Sequence, residues 1–149
     1  QYEVSNFSRK GNESRNNLLL WSGKEYLGFG TGAHSFYERT RKANIGSVKT
    51  YISHLKKNTL PFEFEEQLSN TQLALEFLML GLRCSKGVNL KGWVEQFELK
   101  WSAQEERYVN SLYEQGHALE KNNNFCLTPK GMLLADRITV EMMPLNISH

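Results

Sequence analysis

The sequence predicts an α+β fold, with strands near its start and a mainly helical, winged-helix-like second part over 61–149. Three observations carry this. Aromatic and glycine-rich stretches that alternate like strands fill much of the first forty-odd residues. From residue 47 onward apolar residues recur at three and four positions, the helical spacing. After residue 70 the order reads helix, helix, helix, hairpin, helix.

Composition sets the outer limits. The 149 residues suffice for a sizeable core. A net charge of +2 makes no broad electrostatic case for nucleic acid or an anionic membrane. Cys84 and Cys126 form no CxxC pair and no disulfide framework, which fits a reducing cytoplasm. No apolar run approaches a membrane span and no signal peptide is read. The chain begins at Gln1 inside a strand-like pattern, which reads as a piece of a longer protein.

Taken in order, Tyr2, Val4 and Phe7 alternate loosely and predict a short strand. Residues 8–17 are polar and basic, with Gly11 as a turn signal. Leu18, Leu19, Leu20 and Trp21 form an apolar block of one or two helical turns, ended by Ser22 and Gly23. Residues 26–37 read as a strand carrying Gly28, Gly30 and Gly32 at alternate positions. Strand alternation would put Phe29 on an apolar, packed face and leave the other face stripped to backbone, a floor for a flat ligand. The plainer reading of the same glycines is a bulge where two backbones cross. A dinucleotide fingerprint is rejected: the following residues are aromatic and open no helix, and Val48, Lys49 and Thr50 stand where an acidic residue is needed.

Val48, Tyr51, Ile52 and Leu55 predict a helix over 47–57, closed by Pro61. Residues 62–65 alternate like an edge strand. Ser69 or Asn70 can cap a helix over 71–83 that is apolar nearly all round, hence buried on several sides; its Glu76 and Arg83 share a face and read as a structural tie. Trp93, Val94 and Phe97 place a helix over 90–97. Ser102 and Glu105 form a capping box for a helix ending at Gln115 before Gly116. Asn122, Asn123 and Asn124 sit at the tip of a hairpin over 118–127. Thr128 and Pro129 open a final helix through Met132, Leu133, Ala135, Ile138 and Met142, ending at Pro144. Winged helices often read DNA, but here Glu105, Glu106 and Glu114 outnumber Arg107 on the third helix, and the hairpin tip offers only Lys121. Phosphate contacts need cations, so a packing or lid module is the better reading and no nucleic acid is expected.

Five blocks stand in order: YEVSNF at 2–7, RNNLLLW at 15–21, YLGFGTGAHS at 26–35, MLGLR at 79–83 with Gly87 and Val88, and LTPKGMLLAD at 127–136. Together they resemble the C-terminal part of the oxygen-independent coproporphyrinogen III oxidase-like radical S-adenosylmethionine proteins. The resemblance implies a partial (β/α) barrel upstream, with a Cys-x-x-x-Cys-x-x-Cys motif holding a 4Fe-4S cluster. Residues 1–60 would then be the last strands and helices of that barrel, and 61–149 the domain covering its pocket. Ligands in such barrels sit at the C-terminal ends of the strands. By this likeness Gly30, Thr31, Gly32 and Ala33 border S-adenosylmethionine and the substrate.

The family has two branches. One decarboxylates two propionates of coproporphyrinogen III to give protoporphyrinogen IX; the other is a haem chaperone marked by His-Asn-x-x-Tyr-Trp. The matching positions here are Asn16, Asn17, Leu20 and Trp21, so Asn17 and Trp21 fit while Asn16 and Leu20 replace the histidine and tyrosine. An amide is a poor iron ligand beside imidazole. His34 is the candidate substitute, or else a hydrogen-bonded structural imidazole. The expectation is an oxidase-like protein acting on a tetrapyrrole, with the haem chaperone as alternative. Without the cluster cysteines these residues alone would be catalytically inert, and no catalytic residue or metal ligand is expected among them.

Overall fold

The computed structural model describes residues 1–144; the last residues of the expected second domain, 145–149, lie outside them. Among the described residues the chain is α+β, with seven helices and two small antiparallel sheets. It divides into two compact units. One is Lys24–Ser69; the other joins Gln1–Gly23 to the chain from Asn70 onward. Both cuts differ from the single division at 60/61 that the sequence suggests.

In the unit Lys24–Ser69, strands β1 (His34–Tyr37), β2 (Thr40–Asn44) and β3 (Phe62–Gln67) pair in that order as an antiparallel meander. Glu38 and Arg39, at φ 47° and 63°, make the two-residue turn between β1 and β2. β3 lies at an edge, as its alternation suggests, and Lys42 pairs with Glu65 at 3.1 Å across the sheet. Helix α2 (Val48–Lys56) starts where Ser47 Oγ accepts from the Thr50 amide. Its apolar stripe has the expected spacing, yet no residue of α2 is buried, and Val48, Ile52 and Leu55 stay exposed.

The other unit holds the core. Helix α1 (Arg15–Trp21) is capped by Ser14 at its start and Ser22 at its end. Residues 2–7 form no strand: Glu3 makes a single bridge to Cys84, through Val4 N to Arg83 O at 2.9 Å and Ser85 N to Tyr2 O at 3.0 Å. Helix α3 (Asn70–Leu82) buries Ala74, Leu78 and Leu82 completely, and the Asn70 side chain donates to Phe97 O. The core gathers around Trp93 of α4 (Leu90–Gln96), whose indole N–H donates to Ala74 O at 2.9 Å and whose ring meets Trp101 edge-on. Buried indole nitrogens find a partner, and this one fixes α4 against α3. The capping box of Ser102 and Glu105 opens α5 (Ala103–Glu114). Strands β4 (Ala118–Lys121) and β5 (Asn124–Leu127) form the expected hairpin about Asn122 and Asn123, both at positive φ.

The final helix is two helices. Thr128 caps α6 (Pro129–Met132), the chain kinks at Leu133 and Leu134, and α7 (Ala135–Met142) packs on α3 through the buried Ile138 and Met142. Leu133 is 84% exposed, so it is not a core position of a continuous helix.

Candidate functional site

The glycine stretch is a closed loop, not a strand. Tyr26 and Phe36 exchange backbone hydrogen bonds of 2.8 and 2.9 Å and pinch its ends together. Just inside, the Gly28 amide donates to Ser35 Oγ at 2.9 Å, and a Cβ on Gly28 would stand 2.1 Å from the His34 carbonyl oxygen. Two backbones cross there, and this chain's own packing requires that glycine. Gly30 and Gly32 differ. Their φ values of +97° and +65° are left-handed, and no atom lies within 4 Å of a Cβ built on Gly30.

Asn44 holds the loop's inner side. Buried at the end of β2, it donates its amide Nδ2 to Gly30 O at 2.8 Å and its backbone N–H to Ala33 O at 2.9 Å. The Gly32 amide donates to Ile45 O at 3.2 Å. The loop's polar backbone is thus largely satisfied from within. Thr31 and Gly32 are exposed and Ala33 half-buried. A flat ligand bordering it would meet a surface without side chains at Gly30 and Gly32, a fit by shape and not by unfilled donors. Phe29 is 87% exposed, so the packed aromatic face expected of a strand is absent. His34 is exposed, and its imidazole makes no hydrogen bond among the described residues.

Asn16, Asn17 and Trp21 lie on α1, in the other unit. Asn16 is exposed, Asn17 and Trp21 are half-buried, and Leu18, Leu19 and Leu20 are each about two-fifths exposed. The Arg83 guanidinium sits over the Trp21 ring at 5.4 Å from its centroid. Arg83 also donates to Asp136 on α7 at 3.1 Å. Beside it the fully buried Glu3 accepts from Ser5 N and Oγ at 3.1 Å and from the Asn6 amide. Burial pushes the Glu3 carboxyl up, but the Ser5 and Asn6 hydrogen bonds and the Arg83 charge outweigh it and hold it below its ordinary value. The Cys84 thiol is pushed up to about 11, first by burial and then by Glu3.

That chemistry bears on an iron–sulfur cluster, which needs several thiolates. Cys84 and Cys126 both have raised pKa values, chiefly from burial, and the Cys126 thiol donates to Lys86 O at 3.2 Å. No group of three metal-binding side chains exists among the described residues. The cysteines present do not fit a cluster. No helix among those residues is long and apolar enough to cross a membrane.

Residues 68–134 match the family model of the HemN C-terminal domain. Over 138 residues the chain is 33% identical to the heme chaperone HemW of Bacillus subtilis, covering 93% of this chain and 36% of that protein. Together these matches liken the chain to the C-terminal part of the HemN-like radical S-adenosylmethionine family. It is also 29% identical over 161 residues to the bovine mitochondrial radical S-adenosyl methionine domain-containing protein 1, covering 96% of this chain and 35% of that one. It spans about a third of the length of these curated relatives. The solved structure of coproporphyrinogen III oxidase (HemN) from Escherichia coli, a radical SAM enzyme, matches with a TM-score of 0.62 over 80% of this chain and 28% of that chain, at 18% identity. At that identity the likeness concerns the fold alone.

Sequence reasoning missed Asn44 and the reach of Arg83. Asn44 carried one signal, an amide-bearing residue ending a basic strand. Arg83 carried none that separates Asp136 and Trp21 from other partners.

Proposed function

We propose that this chain is part of a radical S-adenosylmethionine protein that handles a tetrapyrrole, and that it does so as a haem chaperone. The observation carrying this is the 33% identity, over 93% of the chain, to a protein named as a heme chaperone. A second reading, oxidative decarboxylation of coproporphyrinogen III, is kept open by the match of residues 68–134 to the HemN C-terminal domain. In either case the 4Fe-4S cluster would be held by cysteines outside these residues, and S-adenosylmethionine would supply the radical chemistry. The backbone at Gly30, Thr31, Gly32 and Ala33 would border that cofactor. Asn16, Asn17 and Trp21 of α1 would meet the tetrapyrrole, and His34, exposed in the other unit, is the candidate substitute for the family histidine.

On this reading residues 1–60 are the last barrel elements and 61–149 a winged-helix-like lid. The order α3, α4, α5, hairpin, α7 supports the second assignment. The acidic first turn of α5, with Glu105 and Glu106, favours a lid over a DNA reader.

The test uses the full-length protein, reconstituted anaerobically with iron and sulfide. It is given S-adenosylmethionine, a reductant and coproporphyrinogen III, and separately titrated with haemin. The expected result is a Soret shift with haemin and no decarboxylated product by mass. Loss of two carboxyl groups as carbon dioxide would overturn the chaperone reading in favour of the oxidase. No Soret shift and no product would overturn both.

A further inference from the structure

Helix α1 has seven residues and no buried side chain. So short a helix does not persist in water unaided. Its aromatic anchor is Trp21, and over that ring lies Arg83, at the end of α3. The same guanidinium donates through Nη1 to Asp136 of α7 at 3.1 Å, while its charge depresses the carboxyl of the buried Glu3. One side chain therefore meets α1 and α7 and acts by its charge on the N-terminal loop. A planar fork can stack and pair at once, which a lysine ammonium cannot do as well. Its Nη1 is paired with Asp136 while its Nε is buried without a hydrogen-bond partner, and the guanidinium lies over the Trp21 ring.

We propose that Arg83 is a positioning residue. It holds Trp21, and with it the face of α1 carrying Asn16, Leu19 and Leu20, in the orientation that meets a tetrapyrrole. The inference rests on the tetrapyrrole reading above and adds a residue to it.

The experiment uses the full-length protein labelled with 5-fluorotryptophan, with the Trp21 resonance assigned by Trp21→Phe, and haemin as probe. Arg83→Gln should move the Trp21 resonance, leave those of Trp93 and Trp101 in place, and weaken haemin binding about fivefold, the scale of one cation–π contact. Arg83→Lys should restore part of both effects. Asp136→Asn, at a side chain 81% exposed, should shift both readouts in the same direction by less. An unmoved Trp21 resonance, or a moved one with unchanged haemin affinity, would overturn the proposal. If Arg83→Gln also moves Trp93 and Trp101, the fold is disturbed and Asp136→Asn decides. If the unaltered protein binds no haemin, the tetrapyrrole reading fails, and the fluorine shift alone decides whether Arg83 orients Trp21.

Discussion

Gly28→Ala tests whether the glycine loop is set by its own crossing or by a ligand. A Cβ at residue 28 would lie 2.1 Å from the His34 carbonyl oxygen and 2.9 Å from its carbon. That is more than an ångström inside ordinary van der Waals contact, and both atoms are backbone, so no side-chain rotamer relieves it. The two strands of the loop must separate. The Gly28 amide then leaves Ser35 Oγ, a bond of 2.9 Å, and the paired bonds of Tyr26 and Phe36 lengthen. Overpacking of this kind costs about 1–3 kcal/mol and one lost hydrogen bond about 1 kcal/mol more. The expected loss is therefore about 2–4 kcal/mol, confined to the unit Lys24–Ser69. The control is Gly30→Ala, where the Cβ has open space and only the left-handed backbone resists, about 1 kcal/mol. Amide hydrogen exchange at Tyr26 and Phe36 reads local opening directly. Faster exchange in Gly28→Ala than in Gly30→Ala is expected. Equal exchange in both, or no change in Gly28→Ala, would refute the crossing as the reason for that glycine.

Leu78→Ala, at a completely buried position of α3, should cost about 3–5 kcal/mol by urea unfolding, through lost transfer energy and the cavity left behind. Ser102→Ala removes half of a capping box and should cost about 1 kcal/mol. The same variant should flatten the acid limb of stability. Glu105 is held below its ordinary value, foremost by the Ser102 hydroxyl; such a carboxyl contributes stability above its unfolded pKa and loses it as pH falls through the folded one. Acid titrations of Ser102→Ala and the parent that superimpose would contradict this. Cys84, with its thiol pushed from 9.0 to about 11, should alkylate with iodoacetamide at pH 8 about a hundredfold more slowly than an unperturbed thiol; reaction at the free-thiol rate would refute the burial argument.

Local signals were legible where the partners lie within a few residues. Ser47 and Thr50, Ser102 and Glu105, and Thr128 and Gly131 cap helices by bonds spanning three positions, and residue types alone announce them. The hairpin about Asn122 and Asn123 was equally plain. The break between α6 and α7 was not: the apolar spacing runs on through Leu133, but its side chain finds no core there and stands in solvent. In the candidate site, glycine spacing marked the right residues and suggested the wrong backbone. Alternation implies a strand only if a neighbouring strand accepts its ladder, and Gly28, Gly30 and Gly32 bond instead to Ser35, Asn44 and Ile45.

The sequence by itself determined the helices, their caps, the hairpin and the family likeness, because each is written in short spacings or in blocks read in order. Tertiary structure decided what those elements face. The apolar stripe of α2 is as regular as any in the chain, yet no residue of α2 is buried, since burial depends on which surfaces the chain brings together; α3, apolar nearly all round, is buried against Trp93 and α7. It also decided that Gly28 serves a backbone crossing and that Arg83 reaches Trp21 and Asp136, more than fifty positions away on either side. No local pattern encodes contacts at that separation; they form only when packing closes the loops between them.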